Sequence, residues 1–249
     1  TLIPYSLDIF HDARTVVTYL LLGLVSFAFL LSGAAPFVGT IAGRYNLRDR
    51  LEALWDGLAK HFLGARVSLF LAVLVLVNFC LTNFASYFLF NHLPHIDDSI
   101  AQYFHAKIFS LGSLTVPSPP FPHFFQLSHV INNGQWYSQY PPGHIFLLML
   151  GLFIDAPWII NPLFGSLTIV PIYYLGKEIY DEAIGRIAAL LALFSPFLIF
   201  MSSEFMNHTT AMFFFALFLL YFVKALKTGR GLHGLVAGAA LGWFVNMRP

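Results

Sequence analysis

The chain has 249 residues, 58% of them hydrophobic and only 10% charged, with a formal net charge of +1. Soluble domains carry charge on roughly a quarter of their residues, so this composition, with a mean hydropathy of +0.73, excludes an ordinary soluble enzyme and points to an integral membrane protein. The near-zero charge leaves no footprint for nucleic acid, and the single Cys80 excludes a disulfide framework or a thiolate metal cluster.

Residues 16–41 are apolar and uncharged, long enough for a span of about 20 residues, with Pro36 as a kink near one end. Residues 43–66 repeat Leu47, Leu51, Leu54, Leu58 and Phe62 at helical spacing, with Arg48, Arg50, Asp56 and Lys60 between them. That pattern predicts an amphipathic helix in the membrane interface. Residues 67–90 form an uncharged run about 36 Å long as a helix, a second span. Residues 1–66 are therefore read as an N-terminal division and 67–249 as the main module. The start on Thr1 and the stop just after an apolar run read as a fragment.

Residues 92–142 cannot sit in lipid although apolar runs flank them. The acidic pair Asp97 and Asp98 stands a few residues past the second span, solvated yet close to lipid. Residues 99–111 put Ile100, Tyr103, Phe104, Ile108 and Leu111 on one side, with Gly112 to stop them, which predicts a helix lying on the membrane. A plain role for Asp98 is the N-cap of that helix, which explains one aspartate and not two. TVPSPPFPHFF is proline-rich and extended, and NNGQWYSQYPPG supplies turn residues with Trp136, Tyr137 and Tyr140. Such aromatics stack on a sugar ring or anchor at the headgroup level.

Three apolar runs precede Glu204, at 144–154, 158–176 and 187–201. The first is only about 16 Å long as a helix. Laying it in the interface gathers ten of the thirteen Lys and Arg (Arg44, Arg48, Arg50, Lys60, Arg66, Lys177, Arg186, Lys224, Lys227, Arg230) on one side, as the positive-inside rule favours. Residues 209–223 then return inward and 231–245 begin another span outward. This topology brings Asp97, Asp98, Trp136, Glu204 and His208 to the outer face. Glu204 and His208 are four residues apart, which on one helix face lets them act together or pair with each other. Gly234, Gly238 and Gly242 share a helix face that permits close packing. Histidines gather on the outer side, but the His92/His95 spacing comes with no further ligand motif and suits an interface. The fold class is thus an all-α integral membrane protein, a multi-helix bundle with interfacial helices in its first large outer loop.

Three stretches in order, HIDDSIAQYFHAKIFSLGSL, WYSQYPPG and NPLFGSLTIVPIYYLGKEIYDEAIGRIAALLALFSPFLIFMSSEFMNHT, resemble the membrane-embedded GT-C glycosyltransferases. The nearest group is glycosyltransferase family 39, the protein mannosyltransferases and aminoarabinose transferases, with oligosaccharyltransferase catalytic subunits more distant. The resemblance covers residues 92–249 and implies a GT-C-type bundle truncated at its C-terminus. In that family the acidic residue of the first outer loop is catalytic, which carries over to Asp97, with Asp98 where glutamate is common. A second acidic or metal-binding position of the family falls in SSEFMNH, nearer His208 than Glu204, which departs from the family's acidic pattern.

Sugar transfer from a polyprenyl phosphate needs a base for the acceptor hydroxyl and positive charge or hydrogen-bond donors on the departing phosphate. A single displacement inverts the anomeric centre and needs no carboxylate nucleophile. The expected function is such a transfer, to a lipid, glycan or protein acceptor, at the outer or periplasmic face of the plasma (inner) membrane, in cell envelope glycosylation. Asp97 and Asp98 are the candidate catalytic residues. Lys107, Trp136, Tyr137, Tyr140, His208 and Arg248 are the candidate substrate contacts. A divalent cation (Mg or Mn) held by Asp97 or Asp98 with His208 or Glu204 is an alternative phosphate partner. The alternative function is a multi-span transporter or flippase for a lipid-linked substrate. Transporters place ionisable groups near the bilayer midplane, whereas here the charges gather at the ends of the runs.

Overall fold

The computed structural model describes residues 64–248. The span expected at 16–41 and nearly all of the interfacial helix expected at 43–66 lie outside the described residues. The helices and strands given below all belong to one compact unit, Ala65–Pro249.

Helix α1 (Val67–Phe88) shows why this sequence needs a bilayer. Asn78, Thr82 and Ser86, four residues apart, are all 0% exposed, while Leu69, Leu76 and Phe84 face outward. In water that helix would be inside out. In lipid, acyl chains solvate the apolar face, and the polar groups must find partners within the protein. Thr82 donates to Asn78 O at 2.8 Å, and the hydroxyl of Ser166 meets Asn78 Oδ1 at 3.2 Å.

Eight α-helices are present among the described residues. After α1 come α2 (Asp97–Ser110), α3 (Pro142–Leu152), α4 (Ile160–Ile179), α5 (Glu182–Leu193), α6 (Pro196–Ser203), α7 (His208–Thr228) and α8 (Gly231–Val245). Among the described residues, three helical segments are long and apolar enough to cross a membrane, Val67–Phe88, Pro157–Ile179 and His208–Thr228. The pair α5 and α6 makes a fourth if it is one span, bent by 52°. The continuous run expected at 187–201 breaks there because Pro196 has no N–H to give to the helix before it, and Ser195 caps α6 by accepting from the Leu198 N–H at 3.3 Å. Helix α3 is short, as expected for the run read as interfacial.

The helices alternate in direction. Helices α1, α6 and α8 end, and α4 and α7 begin, at one end of the unit. There His95 meets Glu204, Asn161 meets Met206, and Asn207 meets Met247. Arg66, Lys177, Arg186, Lys224, Lys227 and Arg230 lie toward the other end. Arg186 is 1% exposed and is held by Glu182 at 2.8 Å and by the carbonyl of Ala65 at 2.7 Å.

Among the described residues two apolar clusters form the core. One, at the Glu204 end, includes Ala106, Ile145, Leu148, Phe205 and Met247. The other, deeper in the bundle, includes Leu71, Ile169, Tyr173, Ala189 and Leu198. Backbones approach closely at Gly165, where a Cβ would overlap Ser202, and at Gly185, where it would stand 2.6 Å from Tyr173 O. At Gly234, Gly238 and Gly242, the face expected to permit close packing, no heavy atom of the described residues lies within 4 Å of a built Cβ.

The 92–142 stretch holds α2 and a three-stranded antiparallel sheet in the order β1 (Val116–Pro117), β3 (Gln135–Ser138), β2 (Val130–Asn132). The proline-rich segment supplies β1. The turn between β2 and β3 uses Gly134 at φ 101°, a conformation that costs glycine little and other residues much. Its register pairs Val130 with Ser138, so His129 falls opposite Gln139.

Candidate active site

Helix α2 begins at Asp97, two residues earlier than expected, so both aspartates lie in its first turn. The N-cap is Ile96, not Asp98, and it has no side-chain acceptor to offer the first-turn N–H groups. Ser99 and Glu204 instead bind the two N–H groups that stand just before the helix. Ser99 Oγ stands 3.3 Å from the Ile96 N–H, and Glu204 Oε1 accepts from the His95 N–H at 2.8 Å and from Ser99 Oγ at 2.9 Å. The two carboxylates of the first turn also face the positive end of the helix dipole.

Asp97 and Asp98 are not equivalent. Asp97 points outward and is exposed. Asp98 is half-buried and lines a cavity of about 360 Å³ with Gln139, Tyr140, Asn207, His208 and Arg248 among its walls. His129 Nε2 lies 3.1 Å from Asp98 Oδ1. The Gln139 amide N–H meets His129 Nδ1 at 2.8 Å, which leaves the ring proton on Nε2, where it donates to Asp98. Tyr140 adds a second donor. Its phenol is pushed up to about 12 by burial, then by its hydrogen bond to Asp98 and that carboxylate's charge, so it stays protonated.

The opposite wall comes from the break between α6 and α7. Glu204 to Asn207 are buried throughout, and their backbone carbonyls are taken up by surrounding side chains. Asn161 donates to the carbonyls of Glu204 and Met206, the latter at 2.8 Å, and His144 Nε2 donates to Phe205 O at 2.9 Å. Burial holds the His144 imidazole down at about 4, so it is neutral. With its proton on Nε2, its Nδ1 accepts from the Thr210 hydroxyl at 2.9 Å. Asn207 Nδ2 donates to Met247 O at 2.7 Å, and the Gly143 N–H to Asn246 O at 2.9 Å, which ties down the turn that presents Arg248. Arg248 and Asp98 both lie close enough to His208 to act on its charge.

The structure thus brings together Asp98, Tyr140, His208 and Arg248 of the expected set, and leaves the others apart. Lys107 is exposed, its ammonium 4.6 Å from the Tyr103 ring centroid. Trp136 packs on Phe104 with ring centroids 4.6 Å apart, and Tyr137 faces His105 at 6.3 Å. Glu204 and His208 do not share a helix face, because Glu204 caps the end of α6 and His208 starts α7. Among the described residues no group of three His, Cys, Asp or Glu side chains is placed to hold a metal ion. Of the expected metal ligands, Asp98 and His208 line the cavity, whereas Glu204 Oε1 is turned to α2 and Asp97 is exposed. His129, Gln139 and Asn207 were not singled out by sequence. The Asn133-Gly134 turn signal was the one clue, since hairpin register sets His129 opposite Gln139.

The family model for dolichyl-phosphate-mannose-protein mannosyltransferase matches residues 141–249, a region that contributes Pro141, Asn207, His208, Met247 and Arg248 to the cavity. The match supports the resemblance to GT-C glycosyltransferases. No curated protein matches the chain.

Proposed function

We propose, from the similarity of residues 141–249 to the mannosyltransferase family, that this membrane protein is a GT-C-type glycosyltransferase using a polyprenyl-phosphate sugar donor. The observation that carries the finer reading is the cavity that sets the Asp98 carboxylate across from His208 and Arg248. Asp98, rather than Asp97, is the general base. It takes the proton of an acceptor hydroxyl as that oxygen attacks the anomeric carbon. The C–O bond to the phosphate breaks with inversion, and Arg248 and His208 receive the departing polyprenyl phosphate. Tyr140 and His129 hold the carboxylate in place.

The cavity faces outward in this reading. The basic residues Lys177, Arg186, Lys224, Lys227 and Arg230 gather at the end remote from Asp98, and the positive-inside rule puts that end in the cytoplasm. Cysteines at Ser113 and Asn133 should then label with an impermeant thiol reagent, and one at Thr228 should not.

The test uses membranes containing the full-length protein and radiolabelled polyprenyl-phosphate mannose, with other polyprenyl-phosphate sugars in parallel. A general base contributes about 10² to 10⁴ in rate. Asp98→Asn should lower turnover by about that factor, and Asp97→Asn by far less. Consumption of none of the donors would refute the glycosyltransferase reading. Full activity in Asp98→Asn with loss in Asp97→Asn would return the base to Asp97.

A further inference from the structure

Glu204 is the most deeply buried carboxylate near the cavity, 2% exposed, yet it does not line it. Its Oε1 binds two groups of the α2 start, 109 and 105 residues earlier in the chain. Its Oε2 has no partner among the described residues. We propose that Glu204 is a positioning residue of this site, a latch that fixes Asp98 against His208 and Arg248. The inference rests on the proposed role of Asp98.

The argument is geometric. Asp98 directly precedes Ser99, and Ser99 Oγ lies 2.9 Å from Glu204 Oε1. His208 follows Glu204 by four residues, across a break whose carbonyls are bound by Asn161 and His144. The base and its opposite wall are thus joined through one carboxylate oxygen. Without Glu204 the His95 N–H loses its acceptor, and the Ser99 hydroxyl, which also lies 2.8 Å from Ile96 O, loses its link to the bundle end. The first turn of α2 then loses its anchor to the bundle end. Reactive groups misplaced by about 1 Å can lose about 10² in rate.

The latch uses an acceptor atom rather than a charge, which separates it from a ligand or a base. Glutamine keeps a carbonyl oxygen where Oε1 stands, and its amide occupies the place of the unpartnered Oε2. Glu204→Gln should therefore keep turnover near the wild type. Glu204→Ala should lower kcat by about 10² with a much smaller change in donor KM. Ser99→Ala should lie between them, and the double variant Ser99→Ala/Glu204→Ala should be little worse than Glu204→Ala, because both changes remove the same contact.

A second readout is independent of catalysis. On a Cys80→Ala background, which removes the exposed native thiol, a spin label at Ile96→Cys should gain mobility with Glu204→Ala and not with Glu204→Gln. Equal loss of activity in the Gln and Ala variants would show that the charge itself is required and would overturn the latch. So would an immobile label and full activity in Glu204→Ala. Loss in Asp98→Asn with full activity in Glu204→Ala sinks only the latch. Full activity in Asp98→Asn sinks the role of Asp98 itself, whatever Glu204 does, and the label alone then decides whether Glu204 anchors α2.

Discussion

Replacing Gly143 by alanine tests how Arg248 is held. Gly143 stands at the start of α3, and its N–H donates to Asn246 O at 2.9 Å. A Cβ there would lie 2.7 Å from that same oxygen, 3.0 Å from its carbon and 3.1 Å from Met247 Cγ. The first two are backbone atoms and cannot swing aside, so the turn at 246–248 must move by several tenths of an ångström or α3 must tilt. Overpacking of this kind costs about 1–3 kcal/mol. Moving Arg248 relieves the strain, and since about 1.4 kcal/mol is tenfold in binding, the apparent donor KM should rise by roughly 5- to 150-fold. Turnover at saturating donor should fall much less, because Asp98, Tyr140 and His129 lie on the other wall. Initial rates against donor concentration, with a thermal melt to confirm folded protein, measure this. Gly238→Ala, with no heavy atom within 4 Å of its Cβ among the described residues, is the control and should change nothing. An unaltered KM and melting point in Gly143→Ala would refute the close contact between α3 and the turn that carries Arg248.

Arg248→Gln removes the guanidinium while keeping an amide, and should raise the donor KM at least as much as Gly143→Ala without lowering the melting point. Tyr140→Phe removes a donor to the Asp98 carboxylate but keeps the ring 5.6 Å from His129, and since a bond to a charged group contributes about 1.5–3 kcal/mol, turnover should drop by about tenfold or more. His144 links stability to pH. Its value in the fold, about 4, lies below the ordinary 6.5, so the unfolded state binds the extra proton first as pH falls. The contribution is full above about pH 6.5 and is lost progressively on acidification toward about pH 4, by at most about 3 kcal/mol. In His144→Gln, melts between pH 7 and 4 should show a shallower loss from a lower starting point. An equally steep loss would mean that His144 is not the group that titrates.

Composition was enough to reveal the membrane, and run lengths located α1, α4 and α7, because lipid imposes a minimum length on any uninterrupted apolar helix. The bent pair α5 and α6 was read as one run although Pro196 stood in plain sight, since hydropathy does not register a missing N–H. The acidic pair was legible as a candidate, but which aspartate faces the cavity was not. That depends on where α2 starts, and the residue that fixes the start, Glu204, lies more than a hundred positions away. Hairpin register could have linked His129 to Gln139. Nothing local could have set Arg248 beside His208, which takes the contacts of Met247 and Asn246 with Asn207 and Gly143.

The polar column of α1 also constrains the order in which the protein is made. Asn78 reaches the bilayer 88 residues before its partner Ser166 has been synthesised. At about 5–20 residues per second that is a wait of roughly 4 to 18 s. During it, the Asn78 side chain waits in the bilayer for the hydroxyl that Ser166 later brings to it. The first described span should therefore enter membranes poorly when expressed alone and improve with Asn78→Leu, whereas in the full chain the same change should remove an inter-helix contact and weaken the docking of α4. Insertion efficiency of the isolated segment, measured beside the melting point of the intact protein, would show the substitution acting in opposite directions at birth and at maturity.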